Sequence, residues 1–228
     1  MGSFYDNIHL RTTDRAAVEQ AWQSYWEGRG ERGWSWVSPA YAGWISVFDW
    51  RCDQQDVDAL TDLAAHLSRV VDCVAIAFQL QDSDLAEYWL FNRGDEVDHY
   101  TSNSEYFAGY AERPEVTPDN GVYSGFGPDV KVGYPVEEDQ SDGGNTQLLK
   151  SLTGTDSLEM ELEAILRTPA YVADDILTAL ASAIGSNDMW ASLGYHYIVT
   201  ESDTISAYEQ FHHLPANQPP NTQRFAEH

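Results

Sequence analysis

Asp82-Ser83-Asp84 is the group in this chain best suited to hold a metal ion. Two carboxylates two residues apart, at the end of a predicted strand, can offer oxygen ligands to a hard cation such as Ca²⁺ or Mg²⁺. Asp95, Glu96 and Asp98 on a predicted hairpin can add negative charge, and Asp82, Asp84, Glu87, Asp95, Glu96 and Asp98, with Trp34 and Trp36, are also the residues expected to meet a basic partner. Acids in turns are usually solvated instead, and Asp82 can equally cap its turn. Asp139–Asn145 has the composition of a Ca²⁺ loop but not its spacing. Counted from Asp139, the fifth position is Gly143, the sixth Gly144 and the twelfth Lys150, where an EF-hand needs a Glu.

Other chemistry is harder to place. Histidines stand at 9, 66, 99, 196, 212, 213 and 228, with no HExxH or CxxC…H spacing, so a zinc site would have to assemble from distant segments. Cys52 precedes Asp53 near a predicted helix N-terminus, where a thiolate is favoured, but spacing identifies no histidine to serve it. Gly125-Phe126-Gly127 is a lone glycine pair, with no P-loop or GxGxxG. No nucleophile, general base or closed ligand set stands out, so the expectation leans away from an enzyme and names no catalytic residue.

The charge excludes more than the motifs assign. Thirty-seven acids face twelve basic residues, only two of them lysines (Lys131 and Lys150), for a formal net charge of −25. Nucleic acid needs clustered Lys and Arg and is an unlikely ligand; an anionic membrane surface repels the chain for the same reason. A basic protein partner, metal ions or polyamines are permitted, as is adaptation to high ionic strength. The acidity is uneven. Four of the basic residues fall in Arg11–Arg32, 168–228 holds only Arg224, and Asp82–Asp119 sets ten acids against two arginines.

This acidity does not signal disorder, because apolar residues make up 43% and aromatics 13% of the chain. Six of the eight tryptophans lie between 22 and 50. Most fit a core, but Trp34 and Trp36 share a strand face in a Gly-rich stretch and are candidates for a contact surface. Cys52 and Cys73 read as two half-buried free thiols. With no apolar signal-like segment in 1–27 and no membrane-length apolar run, a soluble cytoplasmic protein is expected.

The elements that must position these residues follow from periodicity. Phe4–Arg11 alternates as a strand, and Thr13 or Asp14 caps a helix that ends at Gly28–Gly30. Trp34–Ser38 and Gly43–Trp50 are strands. Asp53 or Asp56 opens a helix whose stripe is Val57, Leu60, Ala64, Leu67 and Val71. Val74–Gln81 is a strand with Ala75 and Ala77 on one face, which suggests close approach by another element. Glu87–Asn92 and Glu96–Tyr100 bracket Arg93-Gly94-Asp95 as a hairpin.

The fold expected is α+β: a ferredoxin-like βαββαβ core over 1–102 with a hairpin extension, and a helical C-terminal half. Prolines and glycines break any period in 103–145, which reads as an irregular insert. Residues 146–213 read as helices plus a final strand, with Gly154 closing the first helix. Asp156 and Glu159 resemble a capping box, Asp174 caps the next helix, and Gly194–Thr200 alternates as the strand. A tail from Leu214 is expected to be irregular.

Three stretches resemble a loose group of uncharacterised bacterial proteins with an "FYTNIxLR"-like start. They are Ser3–Arg11; Asp82–Ser102 with Tyr88-Trp89-Leu90 and Val97-Asp98; and Leu162–Ile198 with Tyr171-Val172-Ala173 and Gly194-Tyr195-His196-Tyr197-Ile198. The resemblance implies a shared fold and a bacterial origin and brings no assigned function. Function is therefore read from charge. The first expectation is a non-catalytic acidic protein that binds a basic protein partner, of immunity or regulatory type. The others are a protein adapted to high ionic strength, and a divalent-cation-binding protein or enzyme using surface carboxylates.

Overall fold

The computed structural model describes residues 3–104, 106, 141–167, 173–201 and 210–215. Strand β1 (Tyr5–Leu10) leads into helix α1 (Arg15–Arg29), then β2 (Ser35–Val37) and β3 (Ile45–Asp49). A 3₁₀ turn (Cys52–Gln54) precedes α2 (Val57–Val71), followed by β4 (Val74–Gln81), β5 (Leu85–Asn92) and β6 (Asp95–Thr101). After these come β7 (Asp142–Gly143), α3 (Thr146–Thr153), α4 (Glu159–Arg167), α5 (Asp174–Ala183), α6 (Asp188–Ala191), α7 (Tyr195–Glu201) and β8 (His212–Leu214).

Local chemistry sets the helix ends. Asp14 accepts from Ala17 N at 3.0 Å and Asp56 from Ala59 N at 3.0 Å, which satisfies amides that the first helical turn leaves open. Gly30 ends α1 in the left-handed region. Asp72 ends α2 in the same conformation, unusual for a residue with a Cβ. The β4–β5 and β5–β6 connections turn on Asp82-Ser83 and Arg93-Gly94, all with positive φ, as tight hairpins require.

The described strands make one antiparallel sheet in the order β7-β6-β5-β4-β1-β3-β2-β8. Helices α1 and α2 cover one face. Val18, Trp22 and Trp26 of α1 and Leu60, Ala64 and Leu67 of α2 cluster with Ile8, Val47, Ala75, Ala77 and Phe91. Ala75 and Ala77 do admit a close neighbour, α2. Helices α3 to α5 cover the opposite face. Leu149, Leu162, Leu177 and Leu180 pack on Ile76, Phe78, Tyr88 and Leu90. A smaller cluster of Phe48, Leu193, Tyr195, Ile198 and Phe211 closes that face over β3.

Four expectations are corrected. Gly194–Thr200 is not a strand; Tyr195–Glu201 is helical, because a carboxylate from far away in the chain caps it. The last strand is instead His212–Leu214, so Leu214 belongs to the sheet and not to an irregular tail. Asp174 lies in the first turn of α5 without capping it, since its carboxylate accepts the Tyr5 hydroxyl. Asp142–Gly143, inside the expected irregular insert, pairs with β6. The rest of that insert (105 and 107–140), Tyr171-Val172 and most of the tail lie outside the described residues.

Leu67→Ala on one face and Leu180→Ala on the other each remove a fully buried side chain. Each is expected to lower stability by about 2–5 kcal/mol. Because both pack on the same sheet, urea unfolding followed by near- and far-UV circular dichroism should stay a single transition in both variants.

Candidate functional site

Strand β1 is central, paired with β3 on one side and β4 on the other. Every residue in it is buried, including Asp6, Asn7 and His9, each 0% exposed. A buried polar group without a partner costs a few kcal/mol. The partners these three find define the polar centre of the molecule.

On the α1/α2 face, Asp6 heads a row of polar residues across the sheet. It pairs in register with Gln79, Gln79 with Glu87 and Glu87 with Thr101. Gln55 Nε2 donates to Asp6 Oδ1 at 3.2 Å and Gln79 Nε2 approaches Oδ2 at 3.5 Å. Beside it sits Asp53, 2% exposed. Asp53 Oδ1 accepts from the backbone N–H of Asp6 at 3.3 Å, and Oδ2 from that of His196 at 3.0 Å. The amide of Tyr195 also favours its ionised form. A carboxylate of the 3₁₀ turn thus caps helix α7, about 140 residues later in the chain. The approach depends on Gly194, where a Cβ would lie 2.1 Å from Asp53 Oδ1.

These acids titrate abnormally. Burial raises Asp53 to about 7, against the opposing pull of the His196 and Asp6 amides. Burial, then the charge of Asp53, pushes Asp6 well above the usual carboxylate range. The same surroundings correct the expectation for Cys52. It is buried rather than half-buried, and desolvation together with Asp49, Asp6, Asp53 and Asp56 drives its thiol up, so no reactive thiolate forms. Cys73 is half-buried and raised to about 12, first by burial.

On the opposite face, Asn7 and His9 form a second network. Asn7 Nδ2 donates to the carbonyls of Ala191 and Leu193, both at 2.9 Å. That orientation leaves Asn7 Oδ1 as an acceptor, 2.8 Å from His9 Nε2, so Nε2 carries the proton. His9 Nδ1 must then accept, from Ser46 Oγ at 2.9 Å or Ser186 Oγ at 2.8 Å. Burial lowers His9 to about 3, which keeps it neutral. A hydroxyl on a neutral imidazole is the arrangement of an activated nucleophile. Here, however, His9 and Ser46 are 0% and Ser186 is 5% exposed. The network fastens residues 186–193 to the sheet.

No family model, curated protein or solved structure matches the chain.

The residues singled out from sequence are dispersed. Asp82 lies in the β4–β5 turn with Asp84 beside it, while Asp95 and Glu96 follow the β5–β6 turn. The two pairs lie at opposite ends of β5, a span of about 24 Å. Asp98 accepts from Tyr88 Oη at 2.7 Å and from Asn145 N at 2.8 Å, which ties β6 to the start of α3. Glu87 is nearly covered and stands 3.4 Å from His99 Nε2. Trp34 packs edge-on against Trp50 and Trp36 against His213, both half-buried. Among the described residues no group of three or more His, Cys, Asp or Glu is placed to hold a metal ion.

Asp6, Asn7, Asp53, Gln79 and Ser186 were not legible as a set. Alternation of Asn7 and His9 with Ile8 and Leu10 reads as a strand and does not show what covers its polar side. The available signal was indirect: the apolar stripes after residue 146 need a sheet face to cover.

Asp53 yields a pH signature. Its folded value near 7 lies above the usual 3.8, so between those values the native state holds a proton that the unfolded chain has lost. Its contribution therefore falls as pH rises from about 4 to 7. His9 acts oppositely, since its folded value near 3 lies below 6.5 and stability gains as pH rises through that window. Asp53→Asn should remove the first contribution and, by deleting a charge that helps to raise Asp6, lessen the matching contribution of Asp6. Relative to wild type, urea-unfolding stability should then gain slope between pH 4 and 7 by up to about 1.4 kcal/mol per pH unit. Parallel pH profiles for the two proteins would contradict this.

Proposed function

We propose that this is a non-catalytic acidic protein that binds a basic protein partner, in the manner of an immunity or regulatory protein. The observation that carries the reading is the fate of the arginines. Arg29 pairs with Asp62 at 2.6 Å, Arg93 with Asp72 at 2.9 Å, Arg167 with Glu163 at 3.2 Å and Arg15 with Glu19 at 3.6 Å. Arg51 contacts both Glu31 and Asp56. Five of the arginines are thus paired within the chain, whereas Asp95, Glu96 and Glu161 form no ion pair among the described residues. Uncompensated charge repels itself, and a cationic surface both relieves that repulsion and associates faster.

The order β4-β1-β3-β2 with α1 and α2 on one face supports a ferredoxin-like reading of residues 5–81, and the β5–β6 hairpin continues the sheet from β4. Two free cysteines fit a reducing, cytoplasmic setting. No described helix is long and apolar enough to cross a membrane.

One observation favours a second reading, adaptation to high ionic strength. Acids stand at both ends of β5 and on α4, across the sheet from α1 and α2, so the described charge is spread rather than gathered. Two measurements separate the readings. Under partner binding, the immobilised protein retains a basic protein from extract at about 50 mM salt and releases it by about 500 mM. If nothing salt-sensitive is retained and the melting temperature climbs steadily into molar salt, the acidity serves solvation.

A further inference from the structure

Helix α7 hangs on one side chain that can change charge. With seven residues it is too short to persist on its own. Tyr195 and Ile198, both 0% exposed, pack it on Phe48. Asp53 caps it, and the capped chain in turn seals the carboxylate in, with Gly194 directly against it. The Asn7–His9 network holds 186–193 without Asp53, so a hinge at Gly194 separates α7 from that segment.

Around Asp53 stand mostly acids. Strand β1 brings Asp6, fully buried, and β3 brings Asp49, which accepts from Trp22 Nε1 at 3.0 Å and from the Ser35 hydroxyl. Glu87 of β5 acts on Asp6. The 3₁₀ turn carries the Cys52 thiol, and Asp56 follows it as the cap of α2. Gln55 and Gln79 are neutral, and α7 brings Tyr195 and His196. Among the described residues no arginine or lysine pairs with Asp6 or Asp53; Arg51, at the head of the turn, is engaged by Glu31 and Asp56. The closed geometry accommodates a proton on Asp53. Placed on Oδ1, where the Asp6 N–H lies 3.3 Å away, it leaves Oδ2 as the carbonyl oxygen that accepts from His196 at 3.0 Å.

We propose that Asp53 is a proton-operated latch: α7 lies closed over β3 while Asp53 holds a proton, and it lifts about Gly194 as Asp53 ionises, uncovering Phe48. Lifting returns the carboxyl to water, where its ordinary value is 3.8, whereas burial in the closed form outweighs the amide donors and raises it to about 7. The closed form therefore binds the proton more tightly. Rising pH favours the open form from about 4 to 7 and has little further effect above that.

The test is native-state hydrogen exchange on the full chain from pH 5 to 8, with and without sub-denaturing urea, read by NMR. The probe is the Ile198 amide, which donates to the Gly194 carbonyl at 3.2 Å, and the reference is the Ile76 and Phe78 amides of β4. Corrected for intrinsic exchange, the opening constant at Ile198 should rise by up to about tenfold per pH unit as far as pH 7 and then level off. Urea should leave it unchanged while speeding exchange in β4, because a local opening exposes little surface. Asp53→Asn keeps a capping side chain and should flatten the rise. An Ile198 amide that exchanges with the free energy and urea dependence of Ile76 overturns the latch, since α7 then leaves only on global unfolding. So does a wild-type opening constant independent of pH, or a wild-type slope retained in Asp53→Asn.

Discussion

The structure depends on burying a polar strand at the centre of its sheet. Asp6, Asn7 and His9 occupy β1, covered on both faces, and most of their hydrogen-bond partners lie outside the neighbouring strand β4. Apolar contacts alone would hold helices over the sheet in several registers, because hydrophobic burial has no direction. Hydrogen bonds do have direction. Asn7 takes the carbonyls of Ala191 and Leu193, His9 takes Ser46 and Ser186, and Asp53 takes the amides of Asp6, Tyr195 and His196. Together these fix where residues 186–198 sit, at the expense of dehydrating two carboxylates.

That arrangement sorts the acids into two populations. Inside, Asp6 and Asp53 meet no cation among the described residues, and burial raises both. Outside, carboxylates stay hydrated and the arginines are drawn into ion pairs with a share of them. Exposed pairs of this kind add little stability. On the surface they leave Asp95, Glu96 and Glu161 outside any ion pair among the described residues.

The first half of the fold was legible because it obeys period rules. Asp14 and Asp56 cap where side-chain chemistry says they should, β4 runs Val74–Gln81, and Arg93-Gly94 turns the hairpin. The second half was less so. Tyr195–Glu201 alternates Tyr195, Tyr197 and Val199 like a strand, yet it folds as a helix because its first amides are satisfied by Asp53, which local sequence cannot reveal. The candidate site suffered the same limit. Asp82, Asp84, Asp95 and Glu96 are conspicuous in sequence but separate in space, whereas Asp6 and Asp53, forty-seven positions apart, meet.

The central claim is that one buried carboxylate, Asp53, holds helix α7 to the sheet. Native-state hydrogen exchange on Asp53→Ala tests it most directly. Protection at the Tyr195 and His196 amides should fall to that of a frayed terminus, while the β4–β5 amides of Ile76, Phe78 and Leu90 stay protected. Undiminished protection at Tyr195 and His196 would contradict the account.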